Sequence, residues 1–320
     1  MVVVRRSVFI LGGVLAAMAH AAGRAEEIYT AGPETLTASV AQILTGPISE
    51  YSMRILSASE PPGPDAIPLK WIVTGRVDNP SPLKGEVQRA IAFSRAETSM
   101  FISDEIDVPS WELDYGDLQQ SGQVVLFMGG GPSNPVIQAI PSGTGEADLA
   151  SLVRDIVAIQ ANPGTELDAW LAYLSSARQD HGREAALRSL VKMKANWKRT
   201  QPVLESLVAN PSLSQPLRMF VFGVVAFGLT SRAWDRDQLP VADFLCRQFE
   251  TARAAESSLR YILTLKLVLN YAMEEAAREA RAPLRERIVD SLRRSEPLLA
   301  RTPALAEQYR QIRASYPGLL

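Results

Sequence analysis

The chain is poorest in the side chains that build metal sites and disulfide bonds. Its 320 residues contain one cysteine, Cys246, and two histidines, His20 and His181. A single cysteine excludes an intramolecular disulfide. Once the amino-terminal leader described below is removed with His20, multi-histidine and cysteine-rich zinc sites are excluded as well, because each needs two or more of these ligands.

The chain also lacks a strong charge of either sign. It has 33 basic and 35 acidic residues, a net charge of −2, and 47% hydrophobic residues. This composition is typical of a folded globular protein. We therefore expect no nucleic-acid partner, and no sequence feature calls for a cofactor.

The first residues read as a secretory signal peptide. Arg5 and Arg6 precede the short apolar run from Val8 to Met18, and Ala19-His20-Ala21 supplies small residues for cleavage after Ala21, with cleavage after Ala25 as the second choice. The sequence therefore predicts a signal peptide over 1–21 and a periplasmic or secreted protein. Export by the Sec or the twin-arginine route stays open. We expect no membrane span in the mature chain, because the most hydrophobic later stretch, Met219 to Leu229, is too short to cross a bilayer.

Strand patterns dominate the first half of the mature chain. Runs rich in β-branched residues, separated by Pro, Gly, Asn and Ser, predict five strands at 51–59, 69–78, 87–95, 123–128 and 136–140. The stretch from Glu34 to Leu44 fits either a short helix or a further strand. Five short strands suit a small closed barrel or a two-layer β unit.

The apolar period changes at about Thr144. From there the apolar residues follow helical spacing, beginning with a run that shares one helix face: Leu149, Leu152, Val153, Ile156 and Val157. Proline opens many of the later helices, which we predict from Thr165 and at 183–194, 202–209, 216–230, 240–254, 258–280, 283–295 and 303–314. The predicted fold class is α+β, with a β-rich domain over 22–143 and an all-α domain over 144–320.

Two resemblances refine this prediction. Helix pairs beginning near Thr165, Thr200, Pro240 and Pro283 repeat roughly every 35 to 43 residues, so 165–316 resembles a HEAT-like solenoid, with a compact helical bundle as the alternative. Over 51–140, the sequence Ile72 to Val77, the Leu83-Lys84-Gly85-Glu86 turn and the strand from Gly122 to Met128 resemble secreted OB-type and netrin-like barrels. That resemblance implies the fold alone, because the cysteine-based inhibition known among netrin-like proteins needs cysteines that this half lacks.

The strongest candidate for a small-ligand site is the acidic, aromatic segment from Asp104 to Asp117. Its carboxylates could bind calcium or act as the general acid and base of a glycoside hydrolase. Its aromatic rings could stack on a sugar. The spacing lacks the order of a calcium loop, and a solvated connection anchored by Trp111 explains the composition equally simply. The candidate binding residues are Asp104, Asp107, Trp111, Glu112, Asp114 and Tyr115.

The remaining motifs favour structural roles. The glycine turn from Pro141 to Glu146 lacks the lysine of a phosphate loop and is interpreted as a turn followed by a helix cap. Ser81 to Lys84 and Ser189 to Lys192 match Ser-x-x-Lys without its companion motifs. His181 is interpreted as a polar residue at a helix terminus and Cys246 as a small packing residue.

These observations lead to a functional expectation based on the helical half. We expect an exported, non-enzymatic protein that binds or scaffolds another protein, because helical arrays offer extended binding surfaces. The alternative is a carboxylate-dependent hydrolase of a polysaccharide that uses the segment from Asp104 to Asp117. No catalytic residue and no metal ligand is assigned, and the oligomeric state is left open.

Overall fold

The structure of the protein is a computed structural model, and it describes residues 32–57, 70–86, 89–98, 122–129, 136–142, 148–251, 255–274 and 279–320. The fold is α+β, as predicted: a curled antiparallel sheet is followed by a series of helices. The chain divides into two compact units, Met1–Glu166 and Leu167–Leu320. Helix Leu149–Gln160 therefore belongs to the first unit.

The sheet is organised around one long strand. β1 (Gln42–Ser57) pairs through its first half with β5 (Gln123–Met128) and through its second half with β2 (Lys70–Asp78). Two register shifts, at Ile48/Glu50 and Ile55/Ser57, interrupt the second half. Because such shifts bend and twist a strand, one strand serves two antiparallel hairpins of a curled half-barrel.

The remaining strands complete an antiparallel sheet. β4 (Ala90–Thr98) pairs with β2, β6 (Val136–Pro141) pairs with β5, and the short β3 (Ser81–Lys84) pairs with the start of β1. The strand order is β4-β2-β1-β5-β6, and the two outer strands approach each other. The four later predicted strands are present with small shifts at their ends, whereas β1 begins nine residues before the predicted strand at Tyr51.

One face of the sheet supplies the core of the first unit. Alternate residues of five strands bury their side chains together: Leu44, Val77, Ile91, Phe93, Val124, Leu126, Met128 and Ala139. β5 is also buried on its other face through Val125 and Phe127. This explains why β5 is apolar at every position after Gln123, since a strand covered on both sides shows no polar alternation.

Two helices flank the sheet in the first unit. The ambiguous stretch from Glu34 to Leu44 contains both predicted elements, because helix α1 (Pro33–Ser39) ends just before β1 begins. The Lys84 ammonium donates hydrogen bonds to the carbonyls of Thr37 (2.8 Å) and Val40 (2.7 Å), and so satisfies acceptors at the end of α1. Helix α2 (Leu149–Gln160) packs on α1 and β3, and Asp148 caps it by accepting from the amide of Ala150.

The described part of the second unit forms eight helices in four successive pairs. Their bounds are α3 Glu166–Ser176, α4 Asp180–Lys192, α5 Trp197–Ala209, α6 Gln215–Thr230, α7 Gln238–Thr251, α8 Ala255–Met273, α9 Ala282–Leu299 and α10 Pro303–Ser315. The second helices of the pairs pack in sequence, α4 on α6, α6 on α8 and α8 on α10, and α7 packs on α9. In these four contacts a helix packs on the one two places along, as in the layers of a solenoid.

Several helix ends differ from the predictions, and for α5 the reason is a local cap. α5 begins at Trp197 rather than Pro202, because the Asn196 side chain accepts from the amide of Lys198 and starts the helix five residues earlier. α4 begins at Asp180, which places His181 in its first turn. α8 ends at Met273 instead of Ala280.

Ion pairs link the first helices of successive pairs in one consistent direction. Asp168 of α3 pairs with Arg199 of α5, and Glu205 of α5 pairs with Arg247 of α7 at 2.7 Å. On α7, Asp243 and Glu250 both pair with Arg287 of α9, and Glu250 also pairs with Arg294 at 3.0 Å. In each case the acid lies on the earlier helix and the arginine on the later one. We call these contacts the acid–arginine ladder.

Candidate functional site

The predicted acidic site lies outside the residues that the structure describes. This applies to all six candidate binding residues: Asp104, Asp107, Trp111, Glu112, Asp114 and Tyr115. The predicted signal peptide with its cleavage position at Ala21 also lies outside them. These assignments stay predictions from the sequence.

His181 belongs to a small polar cluster at the start of α4. Its Nδ1 lies 3.5 Å from Glu184 Oε2, and Arg188 Nη1 lies 4.0 Å from the same oxygen. Glu184 and Arg188 are buried, and the Arg188 guanidinium lies over the Phe220 ring at 5.3 Å from its centre. The cluster places one carboxylate between two basic groups, an arrangement that ties α4 to α6 through Phe220.

The spacing of Glu184 and Arg188 was visible in the sequence, but their burial was not. Residues four apart share a helix face, so Glu-x-x-x-Arg predicts a surface ion pair. The structure buries this pair because α4 is covered along most of its length, from Glu184 to Leu190. Buried charges lose hydration and therefore need their partners far more than exposed ones do.

Both Ser-x-x-Lys matches occupy structural positions. Ser81 and Lys84 belong to β3, where the Lys84 ammonium is engaged by the carbonyls of α1. Ser189 is buried in α4, and Lys192 is the exposed last residue of that helix. Ser189 to Lys192 lies in a helix, as predicted, whereas Ser81 to Lys84 forms a strand where the sequence predicted no strand and a turn from Leu83.

Cys246 is a buried residue of α7, which confirms the sequence interpretation. Its side chain is fully buried, and its Sγ lies 3.8 Å from the carbonyl oxygen of Arg287 in α9. Burial raises the pKa of the thiol to about 11, because an apolar environment disfavours the thiolate. The thiolate is the reactive form, so this thiol is held in its inert state at neutral pH.

The outward side of α6 is an uncharged surface on the helical array. At helical spacing it carries Pro216, which is exposed, and four partly exposed residues: Met219, Phe220, Gly223 and Phe227. A Cβ built on Gly223 would meet no atom within 4 Å, so the surface is open at its middle. We call these five residues the α6 face. Most surface helices carry charged residues on the side that points to solvent, and this one does not.

The burial of α6 was only partly predictable from its sequence. Its apolar character on all sides predicts a central, fully buried helix. The structure buries eight residues, among them Leu217, Val221, Phe222 and Val225, and leaves the α6 face partly open. An uninterrupted apolar run cannot reveal which side faces outward, because that side differs from the core in no residue type.

Within the described ranges, no group of three or more His, Cys, Asp or Glu residues is placed to hold a metal ion. Over the same ranges, no helix combines the length and the apolar character needed to cross a membrane. No family model, no curated protein and no solved structure matches the chain.

Proposed function

We propose that this is an exported protein that binds a partner protein through its helical array and acts as a scaffold rather than as an enzyme. The single observation that carries the proposal is the α6 face, an uncharged strip on the second helix of the second helix pair. Contiguous apolar surface on a folded protein is typical of contact sites, because exposure to water is unfavourable unless a partner covers it.

The layering of the array supports this role. The side-by-side packing of α4, α6, α8 and α10 places the α6 face between two neighbouring helices rather than at an end of the array. On α6 the core side is occupied, since Phe222 contacts Tyr261 of α8 with ring centres 4.2 Å apart. On the opposite side, Pro216 is exposed, Met219 is partly exposed and Gly223 is open, while Phe220 also contacts Arg188 of α4.

Site-specific photo-crosslinking tests the proposal on the intact mature chain. A photoreactive residue is placed at Gly223, where no atom obstructs it, and at Ser212 as a matched control on an exposed loop of the same helix pair. In envelope extract we expect a discrete protein adduct from position 223 and none from position 212. Equal adducts from both positions, or none from either, contradict a specific contact at the α6 face.

A turnover assay addresses the enzymatic alternative. The proposal predicts no hydrolysis of envelope polysaccharides by the purified protein. Robust hydrolysis that is abolished by Asp107→Ala, Glu112→Ala or Asp114→Ala would overturn the scaffold proposal in favour of a carboxylate-dependent hydrolase.

A further inference from the structure

Two large apolar side chains stand out as exposed among the residues that the structure describes. Met193 is 39% exposed and Leu239 is 41% exposed. Met193 follows α4 in the α4–α5 loop, and Leu239 lies in the first turn of α7, directly after the α6–α7 loop. Both loops connect one helix pair to the next, so the two side chains occupy equivalent places in successive layers.

Aromatic contacts hold these two places on the same edge of the array. The ring of Trp197, the first residue of α5, lies 5.3 Å from the ring of Trp234 in the α6–α7 loop and 5.5 Å from that of Phe244 in α7. Met193 is four residues before Trp197, and Leu239 is five residues after Trp234. We call the segment from Lys192 to Lys198 together with the α6–α7 loop and Leu239 the Met193 edge.

The Met193 edge is basic as well as apolar. It carries five exposed basic residues: Lys192, Lys194, Lys198, Arg232 and Arg236. Over the described residues, no carboxylate forms a salt bridge with any of the five. In the sequence of the α6–α7 loop two aspartates equal the two arginines in number, so the net positive charge of the edge comes from the three lysines beside Met193.

Two of these basic residues occupy backbone positions that favour glycine. Lys194 has φ +51° and Arg232 has φ +64°, each just after the end of a helix. At Lys194 the hydrogen bonds from its own amide to the Val191 carbonyl and from the Ala195 amide to the Leu190 carbonyl form a Schellman motif. A side chain in the left-handed region costs stability that glycine avoids, so Lys194 and Arg232 hold exposed basic side chains at positions where glycine would be less strained.

We propose that the Met193 edge docks on the surface of a membrane that contains anionic phospholipids. In this arrangement Met193 and Leu239 enter the headgroup region, and the three lysines meet the lipid phosphates. A few apolar side chains flanked by lysines are the features by which proteins without a membrane-spanning helix attach to anionic bilayers, because burial and charge attraction add together. The proposal is independent of the α6 face and of any protein partner.

Vesicle sedimentation tests the proposal with the intact mature protein. The probes are vesicles of phosphatidylcholine alone and of phosphatidylcholine mixed equally with phosphatidylglycerol. We expect binding to the mixed vesicles only, and its loss at high salt, because salt screens the attraction between the lysines and the phosphates. Equal binding to both vesicles, or no binding to either, overturns the proposal.

Variants separate the charge of the edge from its apolar residues. Each of Lys192→Gln and Lys198→Gln is expected to weaken binding about five-fold, and Met193→Ser combined with Leu239→Ser to weaken it further. Arg178→Gln and Arg301→Gln, which remove exposed charges from loops inside helix pairs, are the matched controls and should leave binding unchanged. Equal effects from both sets would mean that net charge, and not this edge, governs binding.

Lys194→Gly is expected to change thermal stability and vesicle binding in opposite directions. The variant should raise the midpoint of thermal unfolding, because glycine relieves the left-handed position, and at the same time weaken vesicle binding about five-fold. A simple loss of structure cannot produce this combination. Unchanged vesicle binding in a stabilised variant would show that the lysine side chain does not meet the lipid.

A fluorescent label reports whether the edge enters the bilayer. Because Cys246 is buried, a thiol introduced by Met193→Cys can be labelled selectively with an environment-sensitive dye, and Ser212→Cys serves as the control. The dye at position 193 should brighten with mixed vesicles, and the dye at 212 should not. If vesicles are not bound but the lysine variants lose a protein adduct, the edge contacts an acidic protein and the membrane proposal is wrong.

Discussion

Two glycines of α6 allow the packing of the helical array to be tested within one helix. A Cβ built on Gly223 meets nothing within 4 Å, whereas one built on Gly228 would overlap the Trp234 indole nitrogen and lie 2.8 Å from its Cδ1 and Cε2 atoms. Gly228 and Trp234 are both buried. The indole therefore packs directly on the helix backbone, at a place where only glycine fits.

The expected changes in the free energy of unfolding have opposite signs for alanine substitutions at Gly223 and Gly228. Gly223→Ala should stabilise the protein by about 0.5–1 kcal/mol, because alanine restricts the unfolded chain and favours a helix. Gly228→Ala gains the same helix preference but must push the indole out of a packed core, which typically costs about 1–3 kcal/mol. The two variants should therefore differ by about 1–3 kcal/mol, with Gly228→Ala the less stable.

Urea unfolding followed by far-ultraviolet circular dichroism measures this difference, since both changes lie in the same helix. The double variant Gly228→Ala with Trp234→Phe adds a test of the cause: the smaller ring leaves room for the methyl group, so the two changes should cost less together than the sum of their separate costs. A Gly228→Ala protein at least as stable as Gly223→Ala would refute the reasoning.

Three further predictions concern other parts of the core. In a thiol-titration assay, Cys246 should react with an aromatic disulfide reagent only after unfolding, and rapid labelling of the native protein would contradict its burial. Burial opposes ionisation of Glu250, but the Ser291 hydroxyl and the guanidinium groups of Arg287 and Arg294 together outweigh it and hold the pKa of Glu250 below the ordinary 4.5. Glu250 should thus stabilise the fold above that pH and lose this contribution as pH falls through its lowered pKa, so Glu250→Gln should flatten the acid limb of a stability–pH profile. Gly75→Ala should destabilise the sheet by about 1–3 kcal/mol in urea unfolding, because the Phe93 ring lies over Gly75, and an unchanged midpoint would argue against that contact.

Local patterns explain how much of the fold was predictable. The spacing of apolar residues changes from strand to helix periodicity between the end of β6 at Pro141 and the start of α2 at Leu149. This change can be recognised without any knowledge of distant contacts. The same is true of β5, whose two-sided burial shows in its unbroken apolar run. Asp148 and Asn196 lie at helix starts because their side chains accept hydrogen bonds from nearby amides. The cap at Asn196 was not predicted, because the helix was predicted to begin at Pro202.

The candidate surfaces depended on distant contacts. The sequence predicted Lys194 as the last residue of a helix and placed Arg232 just after another, and their left-handed backbone became visible only in the structure. In the same way, Met193 and Leu239 are separated by more than forty residues in the chain, and the contact between Trp197 and Trp234 places them on one edge.

The sequence by itself determined the α+β division, the approximate helices and strands and the burial of Cys246, because these follow from the spacing of apolar residues along a few turns. Tertiary structure decided the curl of β1, the acid–arginine ladder, the burial of Glu184 with Arg188 and the open side of α6. Each of these depends on which segments distant in the chain pack together, and the free energy of such packing depends on three-dimensional neighbours rather than on local sequence.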